Sequence, residues 1–282
     1  MLERISVTLQ ATPGLEPLSI ALQWIAALRA RQGLRMFAMS FDGCDPGPGG
    51  TARRLSEPCA FAGIILLGAQ LASAAEPRHA VVELFTSTGC SSCPPADAIA
   101  GHLRKDPALI VLSYHVDYWD SAAWKDPFSS KDSTVRQYEY AHALNEHSVA
   151  TPQMIVNGTR SVLGAQERAI EHAVQAESQA TSPVQVQLAR QPDGAYALTL
   201  QGTAAGAEVW EVGYVRTAST RVRGGENGGQ TLETYNNVTR IVDLGAYSPG
   251  TRKLPALKSP EDGLAVLVQA PGMGRILGAS AE

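Results

Sequence analysis

Cys90 and Cys93 are separated by two serines and followed directly by Pro94 and Pro95, in the run GCSSCPPAD at residues 89–97. A thiol attacks as its thiolate. A cysteine at the first turn of a helix has its pKa lowered by unpaired N–H donors and the positive end of the helix dipole. A second cysteine three positions on is within reach to close a disulfide or resolve a mixed one. This spacing offers reversible dithiol–disulfide exchange, with Cys90 as nucleophile and Cys93 as resolving thiol. Two other chemistries stay open. Both thiolates with His115 or His102 could hold copper or zinc, although no second CxxC or His pair at ligand spacing accompanies them. The bridge could also be inert, since so short a loop removes little chain entropy. Pro95 suits a first helical position, whereas Pro94 disfavours helical geometry at Cys93.

The elements that must position this pair alternate in type. AVVELF (80–85) reads as a buried strand, PADAIAGHLRK as a helix with Ala96, Ile99, Ala100 and Leu103 on one face, and LIVLSYHV (109–116) as a second buried strand. Ser133 opens the next helix, with Val135, Tyr138 and Leu144 spaced along it. TPQMIVNGTRSVLG reads as two strands joined by the two-residue turn Asn157-Gly158, and AQERAIEHAVQAE as a closing helix with Ile170, Ala173 and Val174 inward. The order β-CxxC-α-β-α-β-β-α gives a parallel pair by crossover plus a terminal hairpin, and it resembles the thioredoxin fold. That resemblance implies that Pro152 is cis and faces the disulfide. It also implies that the backbone of Thr151 pairs with an extended substrate, as in edge-strand addition.

Further candidates flank the cysteines. Glu83, in an otherwise apolar strand, and Asp117, at the close of the second strand, could each take the proton from Cys93 if burial raises the pKa. His115 and Trp119 lie in HVDYWDSAAWKDPF, which could line a substrate groove beside Cys90 or pin an insertion against the body.

From about residue 183 the texture changes to short alternating strands (VQVQL, YALTL, EVWEVGYV, TRIVDL, LAVLVQ) separated by glycine-rich loops such as GGENGG. Residues 183–282 read as an all-β, sandwich-like domain packed on an α/β thioredoxin-like domain at 78–181, whose central mixed sheet is flanked by helices. Upstream, Arg53-Arg54, an apolar stretch over 60–71 and the small residues 72–75 form the pattern of a secretory signal peptide at 51–75. Residues 1–50 are then a non-native or disordered extension, with translation starting near Met36 or Met39. Export to the periplasm or outside the cell leaves Cys90 and Cys93 as the mature protein's thiols, in an oxidising compartment. A net charge of −4 with scattered basic residues argues against nucleic-acid binding.

Taken together, VELFTSTGCSSCPPAD, SYHVDYWDSAAWKDPF, TPQMIVNG and LAVLVQAPGMGRILGA resemble the exported thioredoxin-like proteins catalogued as domain-of-unknown-function family 1223. The resemblance runs from about Ala80 to Ala279 and implies a periplasmic bacterial protein with a thioredoxin-like domain followed by a β-rich one. The expectation is a thiol–disulfide oxidoreductase acting on extended protein or small thiol substrates. It needs no organic cofactor, exchanges electrons with an unknown thiol or disulfide partner, and stays out of the membrane once its signal is cleaved. The alternative is a non-catalytic thioredoxin-like module that binds a protein or a copper ion.

Overall fold

A computed structural model describes residues 80–178 and 182–282, so the signal peptide at 51–75 and the extension at 1–50 lie outside the described residues. Strand β1 (Ala80–Thr86) and strand β2 (Leu109–His115) are buried along their whole length. They pair in parallel, from Ala80 opposite Leu109 to Thr86 opposite His115. Helix α1 (Pro94–Leu103) makes the crossover between them. Continuous apolar runs are what strands covered on both faces require. Val82 and Leu84 pack with Ala96 and Ala100 of α1, whereas Val81 and Phe85 point to the opposite face with Tyr140.

Tyr140 belongs to helix α2 (Lys131–Ala143), whose N-cap is Ser130, three residues earlier than the sequence suggests; the Ser130 hydroxyl accepts from the Ser133 amide. The buried face of α2 is Ser133, Arg136, Gln137, Tyr140 and Ala141, while Val135 and Tyr138 are exposed. A hydrophobic-face reading fails here because the core side of α2 is built around a buried charge. Strands β3 (Gln153–Val156) and β4 (Arg160–Leu163) form the hairpin. Asn157 and Gly158 both have positive φ, as that turn needs, but Val156 registers with Arg160, so the connection is one residue longer than expected. Helix α3 (Glu167–Ser178) buries Ile170 and Ala173 as its spacing predicts.

The second half does not stand apart. It supplies β5 (Val184–Arg190), β6 (Tyr196–Gly202), β7 (Glu208–Arg221), β8 (Thr231–Ala246), β9 (Gly250–Leu254), β10 (Gly263–Gln269) and β11 (Ile276–Ala281). The larger sheet has the order β11-β10-β7-β8-β2-β1-β3-β4, and a three-stranded sheet has the order β5-β6-β9. β8 meets β2 in parallel at Ser113–Asn237, so one mixed sheet crosses the boundary expected near residue 182 and the described residues fall in one compact unit. The physical reason is that β2, apolar on both faces, would otherwise end the sheet as an open edge. A two-sheet packing does exist: Leu198 and Leu200 of the small sheet bury against Leu264, Val266 and Val268.

β7 and β8 are the longest strands, and their paired ends run on from Val215–Asn237 to Arg221–Thr231. This arm crosses α1, where a Cβ on Gly101 would come within 2.3 Å of the Tyr235 ring and the Arg104 guanidinium lies 4.6 Å over that ring. Only glycine leaves room for the arm on the helix.

Candidate functional site

Cys90 and Cys93 lie where β1 runs into α1, with their Cα atoms 5.5 Å apart and their sulfurs at disulfide-bonding distance. Cys93 is the N-cap of α1 and is helical (φ −78°, ψ −39°) despite the following proline. Its carbonyl accepts from the Ala96 amide at 2.9 Å and the Asp97 amide at 3.1 Å. Pro94 and Pro95 occupy the first two helical positions. They stiffen this end, but they also delete two of the N–H donors that make a helix N-terminus attractive to a thiolate. What remains near the Cys90 sulfur is the Ser92 hydroxyl at 3.2 Å and the Thr151 carbonyl oxygen at 3.8 Å. The Thr151–Pro152 peptide is cis and immediately precedes β3. Trp119 donates its indole N–H to the Thr151 hydroxyl at 2.7 Å. Of the residues singled out in the sequence, Cys90, Cys93, Thr151, Pro152 and Trp119 are thus brought together.

Glu83, Asp117 and His115 are not at the sulfurs in the roles the sequence suggests. Glu83 points to the sheet face away from α1, where its carboxylate accepts from Arg136 Nε at 2.7 Å and from the Tyr140 hydroxyl. The Asp117 carboxylate accepts from the Thr134 hydroxyl at 2.6 Å and so ties the end of β2 to the first turn of α2. His115 is fully buried and faces no groove. Its Nδ1 meets Asp126 at 2.8 Å and its Nε2 meets the Asn237 side-chain oxygen at 2.9 Å. The ionised Asp126 carboxylate can only accept, so Nδ1 carries a hydrogen, and an anion held against the ring favours its protonated form. Burial opposes that charge, but Asp126 overrides it and raises the His115 pKa above its ordinary 6.5. Burial likewise acts against the Asp126 anion, yet His115 and the Thr88 and Phe128 amides hold its carboxyl well below the usual range. With both ring nitrogens engaged, His115 cannot join the thiolates around a metal, and His102 is exposed in the last turn of α1. No group of three or more His, Cys, Asp or Glu suited to a metal occurs among the described residues.

The acid missed in the sequence is Asp97. It lies one helical turn after Cys93 on the same face, and side chains four apart on a helix are neighbours. Its carboxylate accepts from the Thr86 hydroxyl at 2.9 Å. Burial pushes its pKa from 3.8 up to about 6, against the opposing charge of His115. The sequence signal was the CxxxD spacing, which reads as an ordinary acidic first turn unless burial is known.

The family model described as "Protein of unknown function (DUF1223)" matches residues 81–269. The chain belongs to this family. A crystal structure of protein AGR_C_4864 from Agrobacterium tumefaciens is similar at 35% identity, with a TM-score of 0.65 over 73% of this chain and 94% of that one. A structure of HBP35 of Porphyromonas gingivalis aligns at 16% identity and a TM-score of 0.49, covering 73% of this chain and 75% of that one. No curated protein matches. The DUF1223 match begins in β1 and ends with β10, so it takes in both halves of the larger sheet together with the cysteine turn.

Proposed function

We propose that this DUF1223 protein is an exported, thioredoxin-like thiol–disulfide oxidoreductase that works through Cys90 and Cys93. The observation that carries the reading is the pair of sulfurs at bonding distance where β1 meets α1, with the Thr151 carbonyl against Cys90. A substrate thiolate attacks Cys90 Sγ, the Cys90–Cys93 bond breaks, and Cys93 leaves as a thiolate that takes a proton. Asp97, with its pKa near 6, is the neighbour suited to supply it. A second substrate thiol then attacks the substrate sulfur of the mixed disulfide and releases Cys90. Two electrons pass from the substrate dithiol to the protein, and the reverse sequence reduces a substrate disulfide. Thr151, just before an antiparallel strand, offers the backbone against which an extended peptide can lie. The signal-like segment at 51–75 supports a reading in which this activity lies in the periplasm or outside the cell.

The test is a trap. A Cys93→Ser variant exposed to a disulfide-bearing peptide should accumulate a mixed disulfide on Cys90, located by mass spectrometry, and Cys90→Ser should not. Both sulfurs have 0% exposure, which favours a second reading, a non-catalytic module with an inert bridge. Failure of Cys93→Ser to trap anything would select that reading.

A further inference from the structure

The tip of the β7–β8 arm, residues 222–230, is seated on the cysteine turn. The Ser91 amide and hydroxyl both donate to one Glu226 carboxylate oxygen, at 3.0 and 2.7 Å. The Glu226 amide donates to the Gly89 carbonyl at 3.3 Å. Asn227, itself buried, donates through its side-chain nitrogen to the Thr88 carbonyl at 3.0 Å and the Cys90 carbonyl at 2.8 Å. Gly224 approaches the Ala123 carbonyl so closely that a Cβ there would stand 2.5 Å from the oxygen. The tip thus binds both the aromatic insertion and the residues on either side of Cys90, whose own exposure is 0%.

We propose that Glu226 is a positioning residue for the dithiol–disulfide chemistry: anchored on Ser91, its carboxylate holds the arm's tip closed over Cys90 and biases the pair toward the disulfide. The proposal rests on the oxidoreductase reading above. Its logic is local charge and access. A carboxylate bonded to Ser91, the residue after Cys90, repels a thiolate at Cys90 and leaves a neutral disulfide unaffected. The two Ser91 bonds hold the Glu226 carboxyl below its ordinary range, so it is ionised at neutral pH. The Ser91 amide it occupies is withdrawn from the sulfur in a turn where Pro94 and Pro95 have already removed two donors. A reduced pair is therefore poorly stabilised, and a stable disulfide corresponds to a low reduction potential.

The experiment compares the full-length wild type with Glu226→Gln, which keeps an acceptor and loses the charge, and with Glu226→Ala, which loses the latch as well. The redox state of the Cys90–Cys93 peptide is followed by mass spectrometry in glutathione buffers, together with its rate of reduction by dithiothreitol. The equilibrium is protein disulfide plus two glutathione thiols going to protein dithiol plus one glutathione disulfide. Both variants should shift it toward dithiol by about three- to tenfold, tenfold being about 30 mV. Glu226→Ala should also be reduced about tenfold faster or more. A wild type that exchanges normally, with both variants matching its constant and rate, overturns the role of Glu226 and leaves the oxidoreductase reading standing. A wild-type pair that never exchanges overturns the reading and the inference with it.

Discussion

Replacing Asp97 with asparagine isolates a buried carboxyl one helical turn from Cys93. Asparagine keeps the side-chain oxygen that accepts from the Thr86 hydroxyl and removes only the titration. In the folded protein Asp97 binds its proton more tightly than in the unfolded chain. The associated stability is therefore fully present below pH 3.8 and lost as pH rises through about 6. At about 1.36 kcal/mol for each pKa unit, the rise from 3.8 to about 6 amounts to about 3 kcal/mol. Denaturant unfolding of the oxidised wild type and of Asp97→Asn, from pH 4 to 7, reads this as a difference. The variant should gain about 2.4 kcal/mol of this on the wild type between pH 4 and 7, whatever its standing at pH 4. A difference that stays flat with pH would show that Asp97 is solvated like an ordinary carboxyl, and the proposal that it donates a proton to Cys93 would go with it.

Three further perturbations separate the residues around the site. Asp126→Asn strands a buried imidazole. In the wild type the contribution of His115 is present below pH 6.5 and lost as pH rises through its raised folded value. An NMR titration of the variant should find the His115 pKa below 6.5, with stability at pH 6 reduced by about 3–5 kcal/mol. Glu83→Gln leaves Arg136 buried without its counterion and should cost several kcal/mol in denaturant melts. The glutathione equilibrium of the cysteine pair should stay unchanged in that variant; a shift would return Glu83 to the redox chemistry. Gly101→Leu fills the space taken by the Tyr235 ring, and despite the better helix propensity it should lose about 1–3 kcal/mol and open the arm to proteolysis.

Much of the first half was legible because its signals are local. Apolar runs marked β1 and β2, Cys90 and Cys93 marked the turn between strand and helix, and Asn157-Gly158 marked a hairpin. The Thr151–Pro152 peptide is cis, with the Thr151 carbonyl oxygen 3.8 Å from the Cys90 sulfur. What escaped depended on partners distant in the chain. The alternation in β8 shows a strand but not that Asn237 will meet Ser113, so the single large sheet was invisible. Val135 and Tyr138 are apolar enough to suggest a core face, but the buried Arg136–Glu83 pair takes that side of α2. Asp97 and Glu226 were missed for the same reason: a carboxylate in a helix's first turn or in a glycine-rich loop reads as solvated until something is known to cover it.

The proposed function requires that the Cys90–Cys93 bond be made and broken reversibly. The direct measurement is the fraction of that peptide in the dithiol form across a series of glutathione redox buffers, at equilibrium approached from both the oxidised and the reduced protein. The expected result is one two-electron transition, identical from either side and abolished in Cys90→Ser. A bond that persists at every ratio, and is opened only once the protein is unfolded, would contradict it.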